Sequence, residues 1–290
     1  MKKVTLESSR RPNRFGLTLL ELVVVMAIIA ALAAIVAPLL PNLLRRAHKA
    51  TDATQTSELS KAVQLYQALY YNYPDGFDLL TTSGASGDFP SYMPGATTIS
   101  TAGTFGGFAT ALDLTGPEIA ALNHVGIRYL YHLNSTATKP TLNPYADNAA
   151  TTPDITLGRI DTSDVATPAN VKFAVLSNAG INASNALFLQ AARTKDPTAR
   201  FVVFGVGTRS SMVGQVIQDA PTSVPQNASF TPSNTYARVG IVFKVSGAEV
   251  AAADNRAKFV AAVALEDDEL EATEKDIVGY YDVASGTGNN

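Results

Sequence analysis

Glu21 is the residue whose type and position most demand a chemical explanation. It stands at the edge of residues 22–41, LVVVMAIIAALAAIVAPLLP, which hold no charge. Placing a carboxylate in such a span costs about 2.5–3.5 kcal/mol even on lenient insertion scales. A plain anchor has no use for that cost, so a positive partner is expected for Glu21. A second set of carboxylates, Glu266, Asp267, Asp268, Glu269, Glu271, Glu274 and Asp276, is crowded into one stretch near the end of the chain. Oxygen-rich loops bind calcium, which makes Glu266, Asp267, Asp268 and Glu269 candidate ligands. Their spacing matches no EF-hand, and a solvated acidic turn is the simpler expectation. Asp161 and Asp164 are a weaker second pair.

The remaining chemistry is sparse. His48, His124 and His132 are the histidines, and their spacing fits no zinc pattern. Gly205-Val206-Gly207 is half of a dinucleotide fingerprint, without the third glycine. Ser210 and Ser211 have no Gly-x-Ser-x-Gly frame. The absence of cysteine excludes disulfides, thiolate metal sites, a cysteine nucleophile and lipidation of an N-terminal Cys. No nucleophile–base or metal constellation suggests an enzyme, and no cofactor is expected apart from the calcium candidate.

The element that must position Glu21 is a helix. An apolar run of about 20 residues is one bilayer thickness. Lys2, Lys3, Arg10, Arg11 and Arg14 precede it against Glu7, so the formal net charge of −3 hides a basic start and a more acidic remainder. A basic flank keeps the N-terminus cytoplasmic and sends the rest across. An acidic body argues against nucleic-acid binding. A cleaved signal peptide has a shorter apolar core with its cleavage site beyond it, whereas here the Ala-rich triplets lie inside the run.

The stretch Arg14-Phe15-Gly16-Leu17-Thr18-Leu19-Leu20-Glu21-Leu22 resembles the processing signature of type IV pilins and type II secretion pseudopilins. In that family a basic leader ends in Gly, an apolar residue opens the mature chain and Glu is its fifth residue. The family favours Phe at the first mature position; this chain has Leu17. The resemblance implies cleavage between Gly16 and Leu17 by a prepilin peptidase, with N-methylation of Leu17. It also implies that Glu21 sets assembly register by pairing with the Leu17 amine of a neighbouring copy. Two charges that are each expensive in lipid would then neutralise one another. Pro38 falls where many members carry a helix-bending proline. Lys61 to Leu80, with its Tyr73-Pro74 pair, is similar to the end of the major pseudopilin stalk. The implied partners are the prepilin peptidase, further copies, minor pseudopilins, an inner-membrane assembly platform and the lipid bilayer.

Leu59, Ala62, Val63, Tyr66, Leu69, Tyr70 and Tyr73 recur at amphipathic-helix spacing. We therefore expect three regions: a basic leader at 1–16, one long helix at 17–73 and a globular head at 74–290. The helix should be membrane-spanning over about 17–44 and kinked at Pro38 and Pro41. In the head, residues 81–111 and 134–170 look like loops. Ile119 to Leu122 looks like a short helix after Pro117. Strands are expected at Ile127–Leu133, Val171–Leu176, Phe201–Val206, Val239–Val245 and Phe259–Leu265. Gly247–Arg256 could form a helix and Ile277–Tyr281 a last strand. The expected fold is α+β: a long pilin-type helix packed on a mainly antiparallel sheet, with a head larger than is usual for pseudopilins.

The function expected is a structural subunit of a secretion pseudopilus or pilus-like filament. It would be a single-pass inner-membrane protein with a periplasmic head, entering a periplasmic filament on assembly. The competing class is a membrane-anchored periplasmic binding protein or enzyme with a pilin-type leader. A stalk like the major subunit's and a head of unusual size point in different directions as to which subunit this is.

Overall fold

The computed structural model describes residues 19–37, 40–82, 89–93, 104–105, 109–135, 144–145, 155–156, 171–176, 196, 198–223, 234–247, 250–251 and 255–265. The chain divides into two units, Met1–Ala47 and His48–Asn290.

The first unit contains helix α1 (Leu19–Val36), LLELVVVMAIIAALAAIV. It has no internal Gly or Pro, and Ala and Leu offset the weaker helix preference of its Val and Ile. Helix α2 (Leu40–Tyr70) begins in this unit and ends in the second. Pro41 lies in its first turn, where a missing N–H is tolerated. The expected helix thus occurs as α1 and α2 and stops at Tyr70, short of the Tyr73-Pro74 pair. Tyr71 takes a left-handed φ of 60°, which ends the helix.

The second unit is built on a sheet of nine strands among the described residues. They are β1 (Phe77–Thr82), β2 (Thr104–Phe105), β3 (Ala109–Leu112), β4 (Tyr129–Leu133), β5 (Ile155–Thr156), β6 (Phe173–Leu176), β7 (Arg200–Gly205), β8 (Val239–Ser246) and β9 (Lys258–Ala264). Helix α3 (Gly116–Asn123) separates β3 from β4. The strand order is β2-β3-β6-β7-β1-β4-β5, with β8 also on β7 and β9 on β8. Among the described strands only β1 and β4 pair in parallel; the other strand pairs are antiparallel. One edge of β7 is shared end to end, by β6 at Val202 and Val203 and by β1 at Gly205.

Both faces of this sheet are buried, so β6, β7 and β8 are almost continuously apolar. On one face Phe77, Val202, Phe204, Ile241 and Phe243 pack with Leu59, Val63 and Tyr66 of α2 and with Ile119 and Leu122 of α3. On the other, Leu80, Phe201, Val203, Val242 and Val263 pack with Phe89, Tyr92 and Met93. Helix α3 is fastened by Glu118, which accepts hydrogen bonds from the Thr115 amide at 2.7 Å and hydroxyl at 2.9 Å, and from Arg200 of β7 at 2.7 Å.

The α+β class, helical structure within 17–73, the short helix after Pro117 and the expected strands at β4, β6, β7, β8 and β9 all occur, with strand ends moved by a residue or two. Three expectations need correction. Phe77–Thr82 and Ala109–Leu112 are strands, although 81–111 looked like a loop, because their partners β4, β7 and β6 lie far along the chain. Ile155–Thr156 is a short strand inside a second expected loop. Leu69 and Tyr70 are exposed and do not extend the packing stripe of α2. Within the helix expected at Gly247–Arg256, Val250 and Ala251 are helical, and 248–249 and 252–254 lie outside the described residues. Ile277–Tyr281 lies outside the described residues.

Candidate functional site

Helix α1 is apolar on every side, and all of its residues are exposed. A helix hydrophobic all round is normally buried in a large core or in a membrane. By length and composition α1 is a candidate membrane span. Its 18 residues span about 27 Å at 1.5 Å per residue, close to the hydrocarbon thickness of a bilayer. Glu21 is in the first turn, the end of a helix where the backbone dipole favours a negative charge. The helix therefore places one carboxylate at the N-terminal rim of an otherwise apolar cylinder. Gly16, Leu17 and Pro38 lie outside the described residues, as do Asp161, Asp164 and the 266–276 cluster with its calcium candidates Glu266, Asp267, Asp268 and Glu269.

Residues 11–37 match the prokaryotic N-terminal methylation motif. They carry the type IV pilin and pseudopilin signature. The matched segment ends with α1 and contains Glu21, so this pilin-type motif and the exposed helix are one feature. No curated protein and no solved structure matches the chain. The pilin-type signature marks a prepilin peptidase substrate with a membrane-anchoring N-terminal helix.

Of the other sequence candidates, His124 and Ser211 have structural roles. His124 caps α3 and contacts the Asn255 carbonyl through Nδ1 at 3.1 Å. His48 is on α2 and His132 is on β4. Among the described residues no three His, Asp or Glu side chains converge on a metal position. Ser211 is a strut: its hydroxyl accepts from the Asp75 amide at 2.8 Å, and its own amide donates to the Asp75 carbonyl at 2.8 Å.

Gly205-Val206-Gly207 is explained by a buried polar cluster not foreseen from the sequence. Asp78 of β1 is fully buried beside β7. It accepts hydrogen bonds from the hydroxyl of Tyr145 and from that of Tyr236 at 2.5 Å. A β-carbon at Gly205 would sit 2.1 Å from the Tyr236 hydroxyl, and one at Gly207 would sit 2.3 Å from that of Tyr145. The glycines make room for the tyrosines. The Arg209 guanidinium covers the Tyr145 ring at 4.0 Å and the Tyr131 ring at 4.8 Å. Burial pushes the Asp78 carboxyl up to about 6, against the two hydroxyl donors and the charges of Arg238 and Arg209. Burial and the nearby Asp78 push Tyr145 and Tyr236 far above the usual phenol range. Asp78 is shut off from solvent, and the cluster ties β1 to the segments that carry Tyr145 and Tyr236. Its signal was available, since Asp78 interrupts the apolar run Phe77 to Leu80 just as Glu21 adjoins its own.

Proposed function

We propose that this chain is a structural subunit of a type II secretion pseudopilus or a related type IV pilus-like filament. A prepilin peptidase cleaves it between Gly16 and Leu17, Leu17 is N-methylated, and α1 carries it in the inner membrane with its head in the periplasm. Copies then pack through α1. The Glu21 carboxylate of one meets the Leu17 amine of another, so that the two charges neutralise one another in a low-dielectric place. The observation that carries this reading is the pilin-type motif on a helix that is exposed along its whole length, apolar on all sides and acidic at its first turn. Such a helix satisfies itself in lipid as a monomer and against other copies in a filament. Polymerisation then needs no other surface to begin.

The test exploits the lack of native cysteine. Ala27→Cys on α1 is cross-linked in cells, beside a blot for processing. Glu21→Leu removes an insertion penalty of about 2.5–3.5 kcal/mol, so insertion and cleavage should persist while the ladder of cross-linked copies disappears. An unchanged ladder in Glu21→Leu would refute the register role and favour an anchored domain that does not polymerise.

A further inference from the structure

Lys244 and Asp196 meet out of water. Their side chains are 0% and 9% exposed, and Nζ lies 2.8 Å from Oδ2. Lys244 is on β8, with buried Phe201 opposite it on β7 and Lys258 opposite it on β9. Asp196 comes just ahead of β7, and 48 positions separate it from Lys244. The Ser246 hydroxyl donates to the Thr198 carbonyl at 2.9 Å, which ties the segment of Asp196 to the end of β8. A β-carbon at Gly247 would sit 2.3 Å from Oδ2 of Asp196 and 2.9 Å from Cε of Lys244. Only a residue without a side chain lets the carboxylate and the amine come together here.

The two carboxylate oxygens have different surroundings. Oδ2 faces the amine. Oδ1 accepts hydrogen bonds from the Thr198 hydroxyl at 2.8 Å and the Thr198 amide at 3.3 Å. An ion pair needs no such division, but attack of the amine on the carbonyl carbon does. One oxygen must carry the developing negative charge toward fixed donors, and the other must lie where the protons of the amine can reach it. Burial helps in two ways. Out of water a charged pair is costly, so neutral amine and acid forms come within reach. The water that would reverse a condensation is also kept away. Two groups held in one fold act on each other at an effective concentration of about 10⁵–10⁸ M when well oriented.

We propose that Lys244 and Asp196 condense to an intramolecular amide, with Thr198 holding Oδ1 during the step. Nζ attacks Cγ, the Nζ–Cγ bond forms and the Cγ–Oδ2 bond breaks. Of the three protons of the ammonium, two leave with Oδ2 as water and one stays on the amide nitrogen. The two charges cancel, and no oxidant or other reagent is consumed. The product also removes a positive charge from the position opposite Lys258, where like charges are unfavourable. The bond fastens the start of β7 to its neighbour β8. A chain without cysteine has no disulfide for this purpose, and a covalent link keeps its loop closed even in the unfolded chain. The step takes place within one chain and does not depend on assembly through α1.

The experiment uses the full-length chain, made in cells without a prepilin peptidase and solubilised in detergent. The intact wild type should be lighter than its sequence by the mass of one water. Trypsin should leave the bond after Lys244 uncut, and tandem mass spectrometry of the digest should find a branched peptide joining positions 196 and 244. Lys244→Arg and Asp196→Ala should each show their full mass and no branch. Thr198→Val keeps the amide donor and loses the hydroxyl. It should slow the appearance of the branch after synthesis by about tenfold or more, and Thr198→Ser should restore it. The branched peptide is read on the wild type, so misfolding of a variant cannot mimic it. Full mass in the wild type, with cleavage after Lys244, leaves an ion pair only and overturns the proposal. So does a water deficit that persists in Lys244→Arg, because it places the dehydration elsewhere, as in a succinimide. A branch that forms at the wild-type rate in Thr198→Val overturns the part given to that hydroxyl.

Discussion

Asp78 and Gly207 approach so closely that a β-carbon on Gly207 would lie 2.4 Å from a carboxylate oxygen of Asp78. No side chain fits between β1 and the turn after β7 without moving the carboxylate or the Tyr145 hydroxyl beside it. Gly207→Ala should therefore destabilise the head by roughly 1–3 kcal/mol, the usual range for forcing a methyl group into a packed site. Thermal unfolding of the detergent-solubilised protein reads it. An unchanged melting temperature would show that the cluster has slack.

The same aspartate predicts a pH dependence. Its carboxyl is raised from 3.8 to about 6 in the folded state, so between those values the folded chain holds a proton that the unfolded chain has released. Stability contributed by Asp78 is then greatest below about pH 4, falls as pH rises to about 6, and is level above that, by about 3 kcal/mol in all. Asp75, also raised by burial, acts with the same sign. Asp78→Asn should flatten most of the decline. Denaturant midpoints at pH 4, 5, 6 and 7 give the comparison, and equal slopes in the two proteins would contradict it.

Lys244 is completely buried in β8, and its ammonium donates to Asp196 at 2.8 Å. Removing one partner of a buried pair leaves the other charge without compensation. Asp196→Ala should cost about 3–5 kcal/mol, while Lys244→Met with Asp196→Leu together should cost much less than the two single changes summed. A double-mutant cycle decides; additive losses would mean that the pair is not coupled.

Processing is predicted at the Gly16–Leu17 bond. Mass spectrometry of membrane-extracted protein should find a chain that starts at N-methyl-Leu17, and Gly16→Ala should slow its appearance, because even a methyl group crowds the scissile bond. An intact Met1 terminus in cells with an active prepilin peptidase excludes this cleavage.

Glu21→Asp keeps the charge on a shorter reach. Its stalk cross-linking should fall between that of wild type and Glu21→Leu, with cleavage unaffected. If Glu21→Asp behaves as Glu21→Leu does, geometry outweighs charge in setting the register.

The apolar helix α1, with Glu21 in its first turn, and the methylation motif over it were legible from order along the chain alone. Each is local: composition decides that α1 is apolar all round, and spacing from Gly16 decides where Glu21 falls. The central strands β6, β7 and β8 were legible for the same reason, since burial on both faces leaves continuous apolar runs. Tertiary structure alone decided the rest. β1 and β3 are strands because β4, β7 and β6 complete their hydrogen bonds from distant positions. Leu69 and Tyr70 fit the helical stripe by spacing, yet the left-handed turn at Tyr71 ends the helix where the sheet no longer covers it. Gly205 and Gly207 looked like half a nucleotide loop until Tyr236 and Tyr145 were placed against them. Spacing along the chain sets which face a residue shares, but what fills the space beyond that face comes from residues far away in the sequence.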